Sequence, residues 1–461
     1  MPELIIKDGT VVTPQGTAKT DIGIDGESIS ALAPGFSGHR EIDATGLIVL
    51  PGVIDAHTHM ELPVRGNRSS DDFLSGTIAA ACGGVTTIAD FSVGAPETSI
   101  PEEIEARLKT AAKAAIDYTL HGEVVGWQTE HESEFADAIA LGVRTFKFYM
   151  AYSRSGRMSD DGTLFHAFAA LARNGGRAMV HAENDAIINS LTDAFEEEGK
   201  LDISALPRSR PPLCEAEAIT RAALIAEHTG VCLRIAHVSS QLGLDAAQTA
   251  RAAGGKIIAE TCPQYLLLDE QVYARPDGHL YAATPPLRTQ TDCQALWKGL
   301  STGAIDMVAT DHCPFTRDQK RWTGSFLDLP YGLPGVETVL PLMYSEGVAQ
   351  KRITLDRLVE LLSTGPAKAL GIYPRKGAIA VGSDADLVLI DLAREWAITA
   401  DALHMRTDFN PYEGQKVIGQ PVMTLSRGRI VFDGEAFCGE EGWGQFIPQT
   451  VLDFTAPLHP C

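Results

Sequence analysis

Several side chains that can bind metal ions follow apolar runs that are typical of β-strands. His57 and His59 are two residues apart, so on an extended strand both imidazole rings point to the same side and can bind one ion. The other members of this set lie far apart in the chain, and they are Lys147, His181, His237 and Asp311. Imidazole nitrogens with a carboxylate oxygen and no thiolate favour a catalytic Zn²⁺ or Mn²⁺ over a closed structural site. The pattern therefore predicts a catalytic metal centre.

Lys147 is the unusual member of this set because it brings a positive charge to a predicted metal site. In residues 144–150, alternation directs Phe146 and Phe148 to one side of the strand and Lys147 to the other. Burial lowers the pKa of a lysine, and a neutral amine can take up carbon dioxide to form a carbamate, an anionic ligand that can bridge two metal ions. The alternative is a structural lysine that is ion-paired with a carboxylate such as Asp311.

Eight short β-type runs alternate with helical patterns in the middle of the chain, and this alternation indicates parallel strands joined by crossover helices. The predicted strands are residues 47–54, 85–91, 118–125, 144–149, 177–180, 233–236, 256–260 and 306–310. Eight such units predict an α/β fold of the TIM type, a (β/α)8 barrel, in which the active site forms at the C-terminal ends of the strands. The metal-binding candidates would all lie at that end.

Both ends of the chain show short antiparallel β patterns instead, at residues 4–12, 21–32, 385–390 and 422–432. Because chain termini usually lie close in space, one small β-sandwich domain built from both termini explains this better than two unrelated flaps. The predicted domains are a small β domain from residues 1–50 plus 375–435, a metal-dependent barrel from 51–374, and a C-terminal tail from 436–461. We expect the tail to dock on the barrel or on a neighbouring subunit, because it is rich in apolar residues, namely Trp443, Phe446, Ile447, Val451, Leu452 and Phe454.

The composition excludes several classes of partner. The chain has 461 residues, with 38 Lys and Arg against 60 Asp and Glu, and its formal net charge of −22 is spread along its length. This charge disfavours nucleic acids and anionic membrane surfaces. No apolar run is long enough to cross a membrane and the first residues lack the order of a signal peptide, so we expect a cytoplasmic protein. The eight cysteines include no CxxC pair, which argues against a disulfide framework.

The candidate residues resemble the active-site pattern of the binuclear cyclic amidohydrolases, with HxH on the first strand, Lys on the fourth, His on the fifth and sixth, and Asp on the eighth. The chain is most similar to the D-hydantoinase and dihydropyrimidinase group. The segments that carry this resemblance are PGVIDAHTH at 51–59, FKFYMAY at 146–152, SRPP at 209–212, TPPLR at 284–288, DHCPF at 311–315 and GAIAVGSDADL at 377–387.

The resemblance implies two divalent ions per chain, most often zinc with manganese as the alternative, and a carbamate formed from carbon dioxide on Lys147. Six ligands with one bridge are too many for a single tetrahedral zinc. One ion would be bound by His57, His59, Asp311 and the carbamate, and the other by the carbamate, His181 and His237.

The resemblance also implies the reaction, which is ring-opening of hydantoins or dihydropyrimidines to N-carbamoyl amino acids by a metal-bridging hydroxide. Asp311 would carry the hydroxide proton to the departing ring nitrogen, which cannot leave as an anion. Tyr152 would donate its hydroxyl group to the oxyanion that develops on the carbonyl. A packed loop aromatic is the alternative for Tyr152.

Two positions that contact the cyclic amide in this group differ from its usual pattern. Thr284 replaces a Ser, and Tyr331 stands before Gly332 where Asn is common. The loops at 60–71 and 153–161 resemble those that cover the substituent on the ring. We expect Glu61 to repel an acidic substituent, and Leu62, Pro63 and Val64 to form apolar cover.

Three alternatives fit the sequence less well. Dihydroorotases typically have an Arg at the position of Glu61, and allantoinases usually lack a Tyr at the position of Tyr152. Some animal relatives are non-catalytic assembly proteins that have lost metal ligands, whereas all six ligand positions are filled here. The resemblance further suggests a homo-oligomer, a tetramer or a dimer.

Overall fold

Within the residues that the computed structural model describes, 1–95, 98–128 and 130–452, eight parallel strands form one sheet in the order of the sequence. These strands are Val53–Thr58, Val85–Phe91, Asp117–Glu123, Thr145–Tyr149, Arg177–His181, Cys232–Ile235, Ile257–Thr261 and Met307–Val308. A parallel bridge between Thr58 and His312 brings the first and last strands together, so the sheet curves into a barrel. The strands are buried along almost their whole length, as expected for a parallel sheet that is covered by helices, and Tyr149 at the end of the fourth strand is partly buried. The predicted TIM-type (β/α)8 fold is confirmed.

The first barrel strand differs from its prediction. The apolar run at 47–54 is divided between two strands, Ile48–Pro51 and Val53–Thr58, which belong to different sheets. Gly52 lies between them, and a β-carbon at this position would approach the Oγ1 of Thr86 to 2.1 Å. Both strands are buried, so the apolar pattern continues across the boundary and hides it.

Helices connect the barrel strands and pack their apolar sides on the sheet. The α-helices are Phe73–Cys82, Ile100–Ala111, His131–Ala140, Asp161–Asn174, Asp185–Glu197, Ala205–Ser209, Pro212–Thr229, Gln241–Ala252, Pro263–Leu267, Gln290–Thr302, Val339–Met343, Leu355–Val359 and Gly365–Leu370. The helix after the fourth strand shows how the sequence sets the ends, because the Asp160 carboxylate accepts a hydrogen bond from the Thr163 amide at 2.7 Å. Gly175 ends the same helix in a left-handed conformation, with φ of 70°.

Two further sheets are built from the chain ends. A four-stranded sheet contains Leu4–Lys7, Ile22–Asp25, Ser28–Leu32 and Arg40–Asp43. A six-stranded sheet contains Thr10–Thr13, Gly16–Lys19, Ile48–Pro51, Leu387–Ala397, Lys416–Ser426 and Arg429–Phe432, so it combines strands from both ends. Apolar side chains of both sheets, such as Ile6, Val49 and Leu389, pack in one core. The domain boundaries given above stay predictions.

The chain after Phe432 returns to the N-terminal edge of the barrel. The Tyr118 amide donates a hydrogen bond to the Gln445 carbonyl at 2.9 Å, and the Ile447 amide donates one to the Tyr118 carbonyl at 2.7 Å. Phe454, which the tail prediction includes, lies outside the described residues. Among the described residues, no helix is both long enough and apolar enough to span a bilayer.

Candidate active site

All nine residues predicted for the site line one cavity of about 250 Å³ at the C-terminal ends of the barrel strands. They are His57, His59, Lys147, Tyr152, His181, His237, Thr284, Asp311 and Tyr331. The topology explains this convergence, because the strands are parallel and their C-terminal ends share one rim of the barrel. The structure therefore brings together residues that are up to 274 positions apart in the sequence, from His57 to Tyr331.

Three of these residues have a left-handed backbone, which is uncommon for residues other than glycine. The φ angles are 76° at Tyr152, 40° at His237 and 53° at Asp311. Such conformations cost about 1–3 kcal/mol each and occur most often at functional sites. At His237 and Asp311 the change of backbone direction comes two and three residues after the strands that end at Ile235 and Val308, and both residues line the cavity.

Asp311 joins the two histidines of the first strand. Its Oδ1 lies 3.2 Å from the Nε2 of His57 and 3.0 Å from the Nε2 of His59. Burial opposes ionisation of Asp311, but His57 and His59 outweigh it and lower the pKa of the carboxyl group. One carboxylate oxygen and two imidazole nitrogens thus face a common point.

His181 and His237 form a second pair, with the Nδ1 of His181 3.1 Å from the Nε2 of His237. The Nε2 of His181 is hydrogen-bonded to the Glu183 carboxylate at 2.8 Å, so the proton belongs on that nitrogen and Nδ1 keeps its lone pair. Burial lowers the pKa of both rings, which favours the neutral form that binds metal ions.

The separations of these donor atoms match a metal centre. Two ligand atoms on a tetrahedral zinc, at Zn–N distances of about 2.0–2.1 Å, lie roughly 3.3 Å apart. The three separations given above are 3.2, 3.0 and 3.1 Å. Both the donor chemistry and the spacing of this site therefore fit divalent metal ions.

Lys147 is buried without the ion pair that the structural alternative requires. Only 1% of the residue is exposed, and burial lowers the pKa of its amine to about 8 although Asp311 opposes this shift. Among the described residues, no carboxylate forms an ion pair with the amine and no acceptor binds it, so the alternative pair with Asp311 is not formed. The Nζ lies 5.5 Å from the ring centres of both Phe91 and Tyr149.

Two buried glutamates orient the histidines, and the sequence did not predict either. Glu260 is hydrogen-bonded to the Nδ1 of His57 at 2.8 Å and is ion-paired with Arg234, which leaves the Nε2 of His57 for the site. Glu183 is likewise hydrogen-bonded to the Nε2 of His181, and it is ion-paired with Arg210. Burial opposes ionisation of Glu183, but Arg210 and His181 lower its pKa to about 2. The sequence feature that could have identified both glutamates is a charged residue at the C-terminal end of an apolar strand.

Tyr152 lies in the turn after the fourth barrel strand and contacts a second predicted residue. Its hydroxyl group is hydrogen-bonded to the Oγ1 of Thr284 at 2.7 Å, and its ring centre lies 4.9 Å from that of His181. Burial raises the pKa of Tyr152 to about 12, so the phenol keeps its proton at neutral pH. Tyr331 donates its hydroxyl hydrogen to the Phe326 carbonyl at 2.9 Å.

The loop after His59 covers one side of the cavity, but Glu61 does not act there as expected. Leu62, Pro63 and Val64 line the cavity, whereas Glu61 lies outside it and is ion-paired with Lys113 at 3.2 Å. The prediction that Glu61 repels an acidic substituent is therefore wrong. The reason is local, because a φ of 52° at Glu61 turns the chain away from an extended course.

Comparisons with known proteins agree with this geometry. The sequence profile described as "Amidohydrolase family" matches residues 48–431. The D-phenylhydantoinase of Escherichia coli strain K12 is 42% identical over 452 residues, which cover 96% of this chain and 97% of that protein. The dihydropyrimidinase from Brevibacillus agri NCHU1002 has a TM-score of 0.95 at 36% identity, over 97% of this chain and 99% of that one. The D-hydantoinase from Bacillus sp. AR9 has a TM-score of 0.95 at 38% identity, over 98% and 99%.

Proposed function

Because the chain belongs to the amidohydrolase family, we propose that it is a cyclic amidohydrolase that opens hydantoin or dihydropyrimidine rings to N-carbamoyl amino acids. The observation that carries this proposal is the cavity in which His57, His59 and Asp311 face one point while His181 and His237 face another. The similarity to D-phenylhydantoinase and to dihydropyrimidinase supports the cyclic amide as the substrate class.

We infer that two divalent ions, zinc with manganese as the alternative, occupy the cavity together with a carbamate on Lys147. When bound, such ions lower the pKa of a water molecule to about 7 and polarise a carbonyl oxygen. His57, His59, Asp311 and the carbamate would hold one ion, and the carbamate, His181 and His237 the other. Glu260 and Glu183 would keep His57 and His181 oriented, with the other nitrogen of each ring directed to the site.

Asp311 and Tyr152 would supply the acid–base and oxyanion functions. The lowered pKa of Asp311 makes it an ionised carboxylate at neutral pH, ready to accept the proton of the attacking water. It would then give this proton to the ring nitrogen, which becomes a neutral leaving group. Tyr152 keeps its proton and would donate a hydrogen bond to the carbonyl oxygen as charge develops. Thr284 and Tyr331 would border the ring of the substrate.

One set of measurements on the zinc-loaded protein tests this proposal. We expect two ions per chain, and we expect hydantoin or dihydrouracil to be opened at least roughly tenfold faster than allantoin or dihydroorotate, because Leu62 and Val64 make the cavity wall apolar. Tyr152→Phe should lower turnover about a hundredfold to a thousandfold and keep both ions. One ion per chain would contradict the metal assignment, and allantoin as the best substrate would contradict the group assignment.

The cellular setting belongs to the same proposal. We infer a cytoplasmic enzyme that works as a homo-oligomer, a tetramer or a dimer, and that binds neither nucleic acid nor membranes, in line with its net charge of −22. Light scattering coupled to size-exclusion chromatography measures the oligomeric state, and a monomer would contradict the inference.

A further inference from the structure

The cavity contains one positive charge that the proposed reaction does not use. Among the described residues, the arginine, lysine and aspartate side chains that line it are Arg65, Lys147, Arg157 and Asp311. Lys147 and Asp311 belong to the proposed metal site. The other two lie on the loops that cover the cavity, after the first and fourth barrel strands.

Arg157 is already neutralised within the protein. It forms an ion pair with Glu123, whose side chain is only 1% exposed. Glu123 is further fixed by a hydrogen bond from the Gly94 amide at 2.7 Å. A substrate would therefore meet Arg157 as half of a neutral pair.

Arg65 is in a different situation. It lies in the turn of a hairpin formed by Pro63–Val64 and Asn67–Arg68, and its guanidinium carbon is 4.8 Å from the ring centre of Tyr331. Tyr331 is itself anchored through its hydroxyl group to Phe326. Among the described residues, no carboxylate forms an ion pair with Arg65. The aromatic ring thus holds the guanidinium at the cavity without cancelling its charge.

We propose that Arg65 binds a carboxylate at the far end of the ring substituent, so that the enzyme prefers substrates with a short acidic side chain. This inference rests on the proposed function, since it concerns the substituent of the same cyclic amide. The apolar side chains of Leu62 and Val64 precede Arg65 along the loop and suit the aliphatic part of such a substituent. Arg65 is an exposed residue of the rim, so it would bind a group at the end of a chain and not a carboxylate attached directly to the ring.

A matched pair of substrates separates charge from shape. 5-(2-Carboxyethyl)hydantoin is an anion at neutral pH, whereas 5-(2-carbamoylethyl)hydantoin has nearly the same shape and no charge. We expect the wild type to favour the anion about five- to tenfold in kcat/KM, mainly through KM, because a charge-assisted hydrogen bond at an exposed site contributes modestly. The preference should decrease at high salt, which screens exposed charges.

Variants of the hairpin identify the residue responsible. Arg65→Gln should remove the preference, Arg65→Lys should retain most of it, and Arg68→Gln, on the same hairpin but outside the cavity, should behave as the wild type. Equal values for the two substrates in the wild type, or the same preference in Arg65→Gln, would overturn the proposal. The proposal would also be overturned if Arg65→Gln lost activity only toward 5-phenylhydantoin, because that result would indicate an aromatic substituent stacked on the guanidinium. Unsubstituted hydantoin serves as the separate control, since failure to open it would contradict the proposed function itself.

Discussion

Within the part of the chain that the structure describes, three lysines are buried to 1% exposure or less, and their surroundings differ. Lys376 lies where the small sheets meet the N-terminal edge of the barrel. Its amine is 2.6 Å from Asp386 and 2.9 Å from Asp384, and it also contacts Asp117. Burial opposes protonation, but these three carboxylates raise the pKa of Lys376 above its ordinary value. The charge of this lysine is fully compensated within the fold.

Lys147 is buried to the same extent at the opposite end of the barrel, but its charge is not compensated. Its amine has no ion pair among the described residues, and burial lowers its pKa to about 8. The comparison with Lys376 shows that burial alone does not select a lysine as a candidate for the metal site. What distinguishes Lys147 is a buried amine without an ion-paired anion, next to the candidate ligands of the proposed metal site.

Lys320 is the intermediate case. Its amine donates hydrogen bonds to the carbonyl oxygens of Leu280 and Ala282 at 2.9 and 2.8 Å, and burial lowers its pKa to about 7. The Ala282 carbonyl also accepts a hydrogen bond from the Gly332 amide at 3.0 Å. The Ala282 carbonyl therefore joins the two segments that carry Thr284 and Tyr331, and Lys320 binds this carbonyl through a dipole instead of a full charge.

Substitution of Lys147 is the most severe test of this comparison. Lys147→Ala should lose both metal ions and abolish measurable turnover, because the proposed carbamate binds both. A short carboxylic acid in excess should restore part of both properties by taking the place of the carbamate, whereas Lys147→Arg should not, since a guanidinium cannot form a carbamate. Metal analysis and hydantoin turnover measure the outcome. An Ala variant with full metal content and full rate would show that Lys147 is structural.

Substitution of Lys376 should have the reverse effect. Lys376→Met leaves Asp386 without its cation, whereas Asp117 keeps its ion pair with Arg427 and Asp384 keeps the one with Arg375. Removal of one partner from a buried ion pair typically costs about 3–5 kcal/mol of unfolding free energy. Metal content and kcat of the folded fraction should not change, because the cluster lies away from the cavity. Urea unfolding and hydantoin turnover well below the unfolding temperature provide the two readouts. Loss of metal with unchanged stability would reverse the roles assigned to the two lysines.

The sequence could place the candidate residues in one cavity because its signals are local. A polar residue directly after an apolar run marks the C-terminal end of a strand, and in a parallel barrel all such ends share one rim. His181 and His237 could thus be placed in one cavity although 56 residues separate them. The same reasoning identified the fold, since strand and helix patterns alternate along the chain.

The features that the sequence did not predict depend on contacts between distant elements. The pairing of Glu260 with His57 and Arg234 follows from the relative positions of three strands, which no local pattern reveals. The direction of the Glu61 side chain depends on a positive φ angle that the local sequence does not predict. The strand boundary at Gly52 was missed because both flanking strands are buried, so their apolar pattern is continuous.

The pH dependence of the free energy of unfolding tests whether Lys320 is neutral like Lys147 or charged like Lys376. Its pKa is about 7 in the folded protein, below the value of roughly 10.4 in an unfolded chain. Between these values the unfolded chain holds a proton that the folded protein has released, so the free energy of unfolding should rise with pH by about 1.4 kcal/mol per unit. Lys320→Met lacks this contribution. The unfolding free energy of the wild type should therefore gain about 2–3 kcal/mol relative to the variant from pH 7.5 to 9.5.

Urea unfolding of both proteins at several pH values measures this difference directly. Lys147 titrates in the same range, but it is present in both proteins and its contribution cancels in the subtraction. Below pH 7 the two free energies should run parallel, because both states of the wild type then bind the proton. Parallel curves at every pH would mean that the carbonyls of Leu280 and Ala282 keep the amine charged, and Lys320 would then belong with Lys376 instead of with Lys147.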